Sequence, residues 1–186
     1  KQLRSRGVTV PILILGASGE EAVEDLINFD ITPSVFTYEF AKALSYEAER
    51  KEKVTKIHIK IDTGMSRIGF LAGENNEEIV DEIIKISKLP YIEIEGIFSH
   101  FATSDEYDKS YTLLQYGRFM DVCNRLEEKG LNIPIKHICN SAAIMMYPEM
   151  HLDMVRPGVI LYGMYPSDEV DKSRLDLIPA MTLKST

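Results

Sequence analysis

A partial (β/α)8 barrel (TIM barrel) is the α/β fold this sequence predicts, and three observations carry that expectation. Short apolar strands alternate with amphipathic helical stretches, a rhythm that implies parallel pairing through right-handed crossovers. About six such units follow one another, enough for a doubly wound sheet or for most of a (β/α)8 barrel. The Gly-rich phosphate loop that a doubly wound nucleotide fold carries after a strand has no counterpart, because "LGASGEE" holds glycines only at Gly16 and Gly19. The expectation is therefore roughly strands three to eight of a barrel, over residues 1–170.

Taken in order, "KQLRSRG" reads as the last turn of a helix stopped by Gly7. "VTVPILILG" (8–16) reads as a strand, and "EEAVEDLINF" (20–29) carries Ala22, Val23, Leu26 and Ile27 at helical spacing. "ITPSVF" (31–36) is a weaker strand, followed by an amphipathic helix over 38–53. In "KIHIKIDTGMSRIGF" (56–70), Ile57, Ile59 and Ile61 alternate with His58, Lys60 and Asp62. In a barrel strand that alternation turns the isoleucines to the helices and the polar set to the interior, which buries Lys60. A helix over 75–88, a strand over 91–101, a long helix over 110–130 ended by Gly130, and strands over 133–143 and 154–163 complete the series. The chain lacks an initiator methionine and "LIPAMTLKST" looks like a strand just beginning, so a fragment of a longer protein is expected. Residues 171–186 would then be a linker and the first strand of a truncated C-terminal β domain, with the first barrel strands also missing.

The 186 residues are 45% hydrophobic and 27% charged, the profile of a globular protein with a sizeable core. A net charge of -8 without a Lys/Arg-rich run argues against nucleic acid or an anionic membrane as partner. No apolar run approaches the roughly 20 residues of a membrane helix, and no signal peptide is visible. Cys123 and Cys139 fall in apolar-periodic segments and read as reduced, buried thiols of a cytoplasmic protein.

Barrel active sites lie at the C-terminal ends of the strands. Here those ends carry Thr63, Gly64 and Arg67; His100; Asn140 and Ser141; and Arg156 with Gly158. Each alone would be weak, but together they place two arginines, a histidine, a hydroxyl and bare backbone at one rim. Ser141 and the backbone of Gly158 and Val159 suit a phosphate, as does a helix N-terminus, and Ser141 is expected to cap the helix beginning "AAIMM". Without a Gly-x-x-x-x-Gly-Lys loop, a phosphorylated cofactor or sugar phosphate fits better than a nucleoside triphosphate.

The segments "IKIDTGMSRIGF", "GIFSHFATSDE", "HICNSAA" and "HLDMVRPGVILYG" together resemble bacterial alanine racemase, a fold-type III pyridoxal-phosphate (PLP) enzyme. The resemblance implies a cofactor barrel, a C-terminal β domain, a head-to-tail homodimer, and alanine interconverted between its L and D forms for peptidoglycan precursors. It implies that His100 stacks on the pyridine ring, that Arg156 donates to the ring nitrogen, and that Ser141, Gly158 and Val159 hold the phosphate while Asn140 steadies that loop. Arg67 would reach the cofactor's phenolic oxygen and the substrate carboxylate. An arginine at the ring nitrogen leaves it unprotonated, which favours a racemase over a decarboxylase.

Lys60 has three readings, of which the carbamate is the one expected. A buried lysine in a PLP protein is a candidate for the internal Schiff base. The resemblance implies instead that the Schiff-base lysine lies on a first strand this chain lacks, and that Lys60 is carbamylated by CO2 beside Arg67. A neutral or Asp62-paired lysine is the third. The resemblance also places the opposing tyrosine outside the chain, so both catalytic bases are expected to be missing and the 186 residues alone to be inactive. A serine or broader amino-acid racemase, or a non-catalytic PLP-binding barrel protein, are the alternatives.

Overall fold

The computed structural model describes residues 1–182 and 184. Its elements are α1 (Gln2–Ser5), α2 (Val23–Asn28), β1 (Ser34–Val35), α3 (Tyr38–Arg50), β2 (Thr55–Asp62), β3 (Phe70–Leu71), α4 (Glu77–Ile86), β4 (Ile92–Phe98), α5 (Ser110–Glu128), β5 (Ile135–His137) and α6 (Ser141–Met146). The strands run in the order β1-β2-β4-β5 with β3 paired to β2, and all named pairs are parallel. Consecutive helices α2 to α5 pack side by side.

The alternation in "KIHIKID" decides how β2 sits. Ile57, Ile59 and Ile61 are fully buried in one core with Leu44 and Ala48 of α3, Val80, Ile83 and Ile86 of α4, and Phe119, Val122 and Leu126 of α5. Each such isoleucine contributes roughly 1.5–3 kcal/mol of hydrophobic burial. His58, Lys60 and Asp62 lie on the other face and are also buried, at 3%, 5% and 6% exposure. That face is covered by Phe98 and His137, whose rings stack at 4.7 Å, and by Arg156 above Phe98. The strand is thus enclosed on both sides, as expected.

Several boundaries differ from the sequence reading. The strand expected over 8–16 is an extended segment that reaches the sheet by one isolated bridge, Leu13 to Thr32. Pro11 in its middle has no N–H to give a ladder. The strand over 31–36 shrinks to Ser34–Val35, because Pro33 again lacks a donor; its carbonyl still accepts from the His58 N–H at 3.0 Å. The strand over 133–143 shrinks to Ile135–His137 and gives way to α6. The strand over 154–163 is absent: Asp153 and Arg156 each donate one backbone bond, to Lys136 and Cys139, and after Pro157-Gly158 a 3-10 turn runs Val159–Tyr162. β3 was not anticipated; it folds back from the turn after β2 and pairs Phe70 with Ile61. The strand expected at the C-terminal end falls partly on Leu183, Ser185 and Thr186, outside the described residues. Gly7 and Gly130 end their helices at φ values of +85° and +83°, as expected.

Candidate active site

The turn after β2 is built by Asp62. Its Oδ1 accepts the N–H groups of Gly64 and Ser66 at 2.9 and 3.0 Å, and its Oδ2 accepts that of Arg67 at 3.1 Å. Asp62 therefore shapes the loop that presents Arg67, and its oxygens are occupied by amides rather than by Lys60. From α5, Tyr111 donates its hydroxyl to the Gly64 carbonyl and Arg118 donates to that of Thr63, which pins the loop from outside.

Lys60 stands 4.6 Å above the Phe98 ring. Among the described residues no carboxylate lies within 4.0 Å of its amine. Burial, then the Arg156 and Arg67 guanidinium groups, pull the ammonium down to about 7 against the weaker opposing pull of Asp62. The Asp62-paired reading loses its geometric support.

Arg156 is held at the ends of two strands. Its Nη2 donates to the Ser99 carbonyl at 2.7 Å and the Ile138 carbonyl at 3.1 Å, and its Nη1 donates to His137 Nδ1. Burial and the neighbouring Arg67 lower it to about 10, so it remains a cation at neutral pH. The His100 Nδ1 lies 3.3 Å from Arg156 Nη2. Burial first, then Arg156, pull this imidazole down to about 4, so it is neutral.

The anion end of the site is made by α6 and the Pro157-Gly158 turn. Asn140, not Ser141, caps α6: its Oδ1 accepts from the Ala143 N–H at 3.0 Å and from the Ser104 hydroxyl at 2.8 Å. Asparagine in extended backbone is as good a cap as serine, and this frees Ser141 to be the first helical residue. Its Oγ accepts the Gly158 N–H at 2.8 Å. A Cβ at Gly158 would meet that oxygen at 3.4 Å, an ordinary van der Waals contact.

These residues converge. Lys60, Arg67, Phe98, His100 and Arg156 line a hollow of about 440 Å³ with Leu15 and Gly16. A second hollow of about 420 Å³, lined by Asn140, Ser141, Gly158 and Val159, shares Leu15, His100 and Arg156 with it. Lys60, Arg67, His100, Asn140, Ser141, Arg156, Gly158 and Val159 all lie on these two adjoining walls, while Thr63 and Gly64, also named at the strand ends, do not line them. Sequence reasoning missed the polar ties between the loops. Fully buried Gln115 donates to Thr63 Oγ1 and the His100 carbonyl, and accepts from the Ala102 N–H at 2.8 Å. Thr63 and Ser99 are joined hydroxyl to hydroxyl at 2.9 Å. A glutamine on the buried face of α5 was the only signal. Cys123 and Cys139 are free and buried, and burial pushes their thiols up to about 12 and about 11, as expected of inert residues.

A parallel α/β sheet that gathers cations and a neutral imidazole beside a helix N-terminus defines the class, an α/β domain with one polar, positively charged hollow. The chain belongs to the family described as "Alanine racemase, N-terminal domain", whose family model matches residues 1–166. It is 53% identical over 185 residues to an alanine racemase of Clostridium tetani, covering 100% of this chain and 47% of that protein. It is 50% identical over 183 residues to one of Methanococcus maripaludis, covering 98% of this chain and 48% of that one. Among solved structures, an alanine racemase of Clostridium difficile 630 in complex with cycloserine superposes with a TM-score of 0.93 at 49% identity, over 96% of this chain and 48% of that one. One from Bacillus anthracis with bound L-Ala-P gives 0.86 at 32%, over 96% and 46%. The chain thus spans about half the length of the curated relatives it matches.

Proposed function

We propose that this chain is the cofactor-binding part of a PLP-dependent alanine racemase, a partial barrel of roughly strands three to eight. The observation that carries the reading is the convergence of Arg67, His100 and Arg156 with the Ser141–Gly158 anion cradle on adjoining walls. The donor set fits the cofactor. A hydroxyl and the amides of Gly158 and Val159 match a phosphate, a neutral imidazole face matches a planar ring, and a guanidinium matches a ring nitrogen that must accept. When bound, pyridoxal 5'-phosphate supplies the carbonyl chemistry that makes the substrate Cα–H acidic.

The chain's own residues would then divide the work. Ser141, Gly158 and Val159 hold the phosphate, and Asn140 fixes α6 beneath it. His100 lies against the ring. Arg156, a permanent donor, keeps the ring nitrogen unprotonated and so limits charge withdrawal into the ring, which suits return of a proton to Cα over side reactions. Arg67 orients the substrate carboxylate with a planar fork. Lys60 is carbamylated: an amine lowered to about 7 is substantially neutral at neutral pH, and with CO2 it gives a carbamate and one proton. The charge then changes from positive to negative between two guanidinium groups, relieving repulsion.

The two opposed proton-transfer bases lie outside these residues, as does the C-terminal β domain of a cytoplasmic homodimer, and alanine is the substrate. Serine or a broader amino-acid range on the same scaffold is the second reading, since the same cofactor and carboxylate contacts would serve it. The test combines the 186 residues with pyridoxal 5'-phosphate and L-alanine. Saturable change in the cofactor's absorbance without racemisation is expected. No saturable binding overturns the cofactor assignment, and turnover above that of free cofactor overturns the placing of the bases.

A further inference from the structure

Behind Phe98, on the enclosed face of the sheet, three ionisable side chains are left over by the cofactor set: His137, His58 and Glu95. His58 Nδ1 lies 2.9 Å from His137 Nε2, both rings are buried, and Arg156 Nη1 contacts His137 Nδ1. A guanidinium only donates. The His137 Nδ1 must therefore accept, its proton sits on Nε2, and that proton is donated to His58 Nδ1. His58 in turn carries its proton on Nε2, which faces Glu95 Oε2 at 3.5 Å, longer than a hydrogen bond but close enough for attraction between the N–H and the carboxylate. Each tautomer follows from the one before it.

The sheet is shaped for this arrangement. The β2–β4 register jumps from Ile57↔Ile94 to His58↔Gly96, leaving Glu95 as an extra residue in a bulge, a device that re-aims a side chain. Gly96 beside it makes room: a Cβ there would fall 2.3 Å from the His58 ring. Glu95 Oε1 is anchored by Lys56 Nζ at 2.6 Å. The charged groups facing the two rings are Arg156 and Lys60 on one side and Glu95 and Lys56 on the other. Burial is the largest influence on both imidazoles and holds both below the usual histidine range, so both are neutral.

We propose that His137, His58 and Glu95 are positioning residues for Arg156: a one-way hydrogen-bond chain runs from the guanidinium through His137 to His58 in the interior of the sheet, and the His58 N–H at its end faces the Glu95 carboxylate. Every acceptor in the chain points back toward Arg156, which fixes the plane of the guanidinium and favours its cationic form. The chain rests on the proposed function only for what Arg156 faces; its hydrogen bonds stand without it.

The test is NMR of ring-15N-histidine protein with and without pyridoxal 5'-phosphate. Expected at neutral pH are a bare Nδ1 and a protonated Nε2 on both His58 and His137. A proton on His137 Nδ1, or either ring charged, overturns the proposal, and this readout needs no variant. In Glu95→Gln a neutral amide replaces the charged group facing His58 Nε2 while the Arg156 side still fixes the tautomer, so the His58 Nε2–H signal is expected to shift with Nδ1 still bare; an unmoved His58 signal overturns the role of Glu95. His137→Asn keeps an acceptor near Arg156 and His137→Leu does not. Cofactor affinity by absorbance titration is expected to fall roughly tenfold more in the leucine variant; equal affinities overturn the positioning role. If unaltered protein takes up no cofactor, the cofactor reading fails while the tautomers still judge the chain.

Discussion

Lys60 shows how one residue carries an energetic conflict that the rest of the site resolves. Its ammonium is buried against Phe98 with two guanidinium groups nearby and no carboxylate in contact. The unfolded chain holds that proton up to the ordinary value of 10.5, whereas the folded chain releases it at about 7. Between those values the unfolded state binds more protons, so stability rises with pH across that window. Denaturant unfolding in CO2-free buffer is expected to give increasing stability from about pH 7 to about pH 10, and Lys60→Met is expected to flatten that rise. An equally steep rise in Lys60→Met would mean that another group causes it. At this scale the sequence was informative wherever a residue's position followed from strand parity or from a strand end. Lys60, Arg67 and His100 were legible that way, whereas Arg156 reaches the same hollow from a segment that is not a strand. Gln115 and His137 were not, because their roles depend on a partner 52 or 19 residues away whose direction parity does not give.

Among the elements, strands with unbroken alternation were legible and strands containing proline were not. "KIHIKID" became β2 because every residue in it can donate to a ladder. Pro11, Pro33 and Pro157 each interrupt a segment whose apolar content otherwise reads as strand, and in each the ladder is short or missing. Apolar composition reports burial, while pairing also needs donors in register. The same substitution should separate two glycines in different elements. Gly117, exposed within α5, has nothing within 4 Å of an added Cβ, so Gly117→Ala should stabilise by roughly 0.5–1 kcal/mol. Gly96→Ala in β4 would drive a methyl into the His58 ring and should destabilise by roughly 1–3 kcal/mol. Paired thermal melts check both; a neutral Gly96→Ala would show that β4 and His58 can separate without loss.

For the whole molecule, charge is distributed against the average. The chain is acidic, at -8, yet its hollow is lined by Lys60, Arg67 and Arg156. Some of the acidic residues lie elsewhere in surface pairs, such as Lys129 with Glu77 and Asp81, and none of them lines this hollow. A dianion approaching the molecule therefore meets repulsion at a distance and attraction at the rim, and added salt screens the first over a shorter range than it screens contacts inside the hollow. Two opposing slopes follow. At low ionic strength the association rate of pyridoxal 5'-phosphate should rise with added salt as the long-range repulsion is screened, while the equilibrium affinity should fall as the local attraction weakens. Arg67→Gln removes one exposed cation from the rim, and is expected to reduce the salt dependence of the affinity while leaving that of the rate nearly unchanged. Stopped-flow absorbance across a salt series reads both. An association rate that falls with salt in the unaltered protein would show that the positive hollow, rather than the acidic surface, governs the approach.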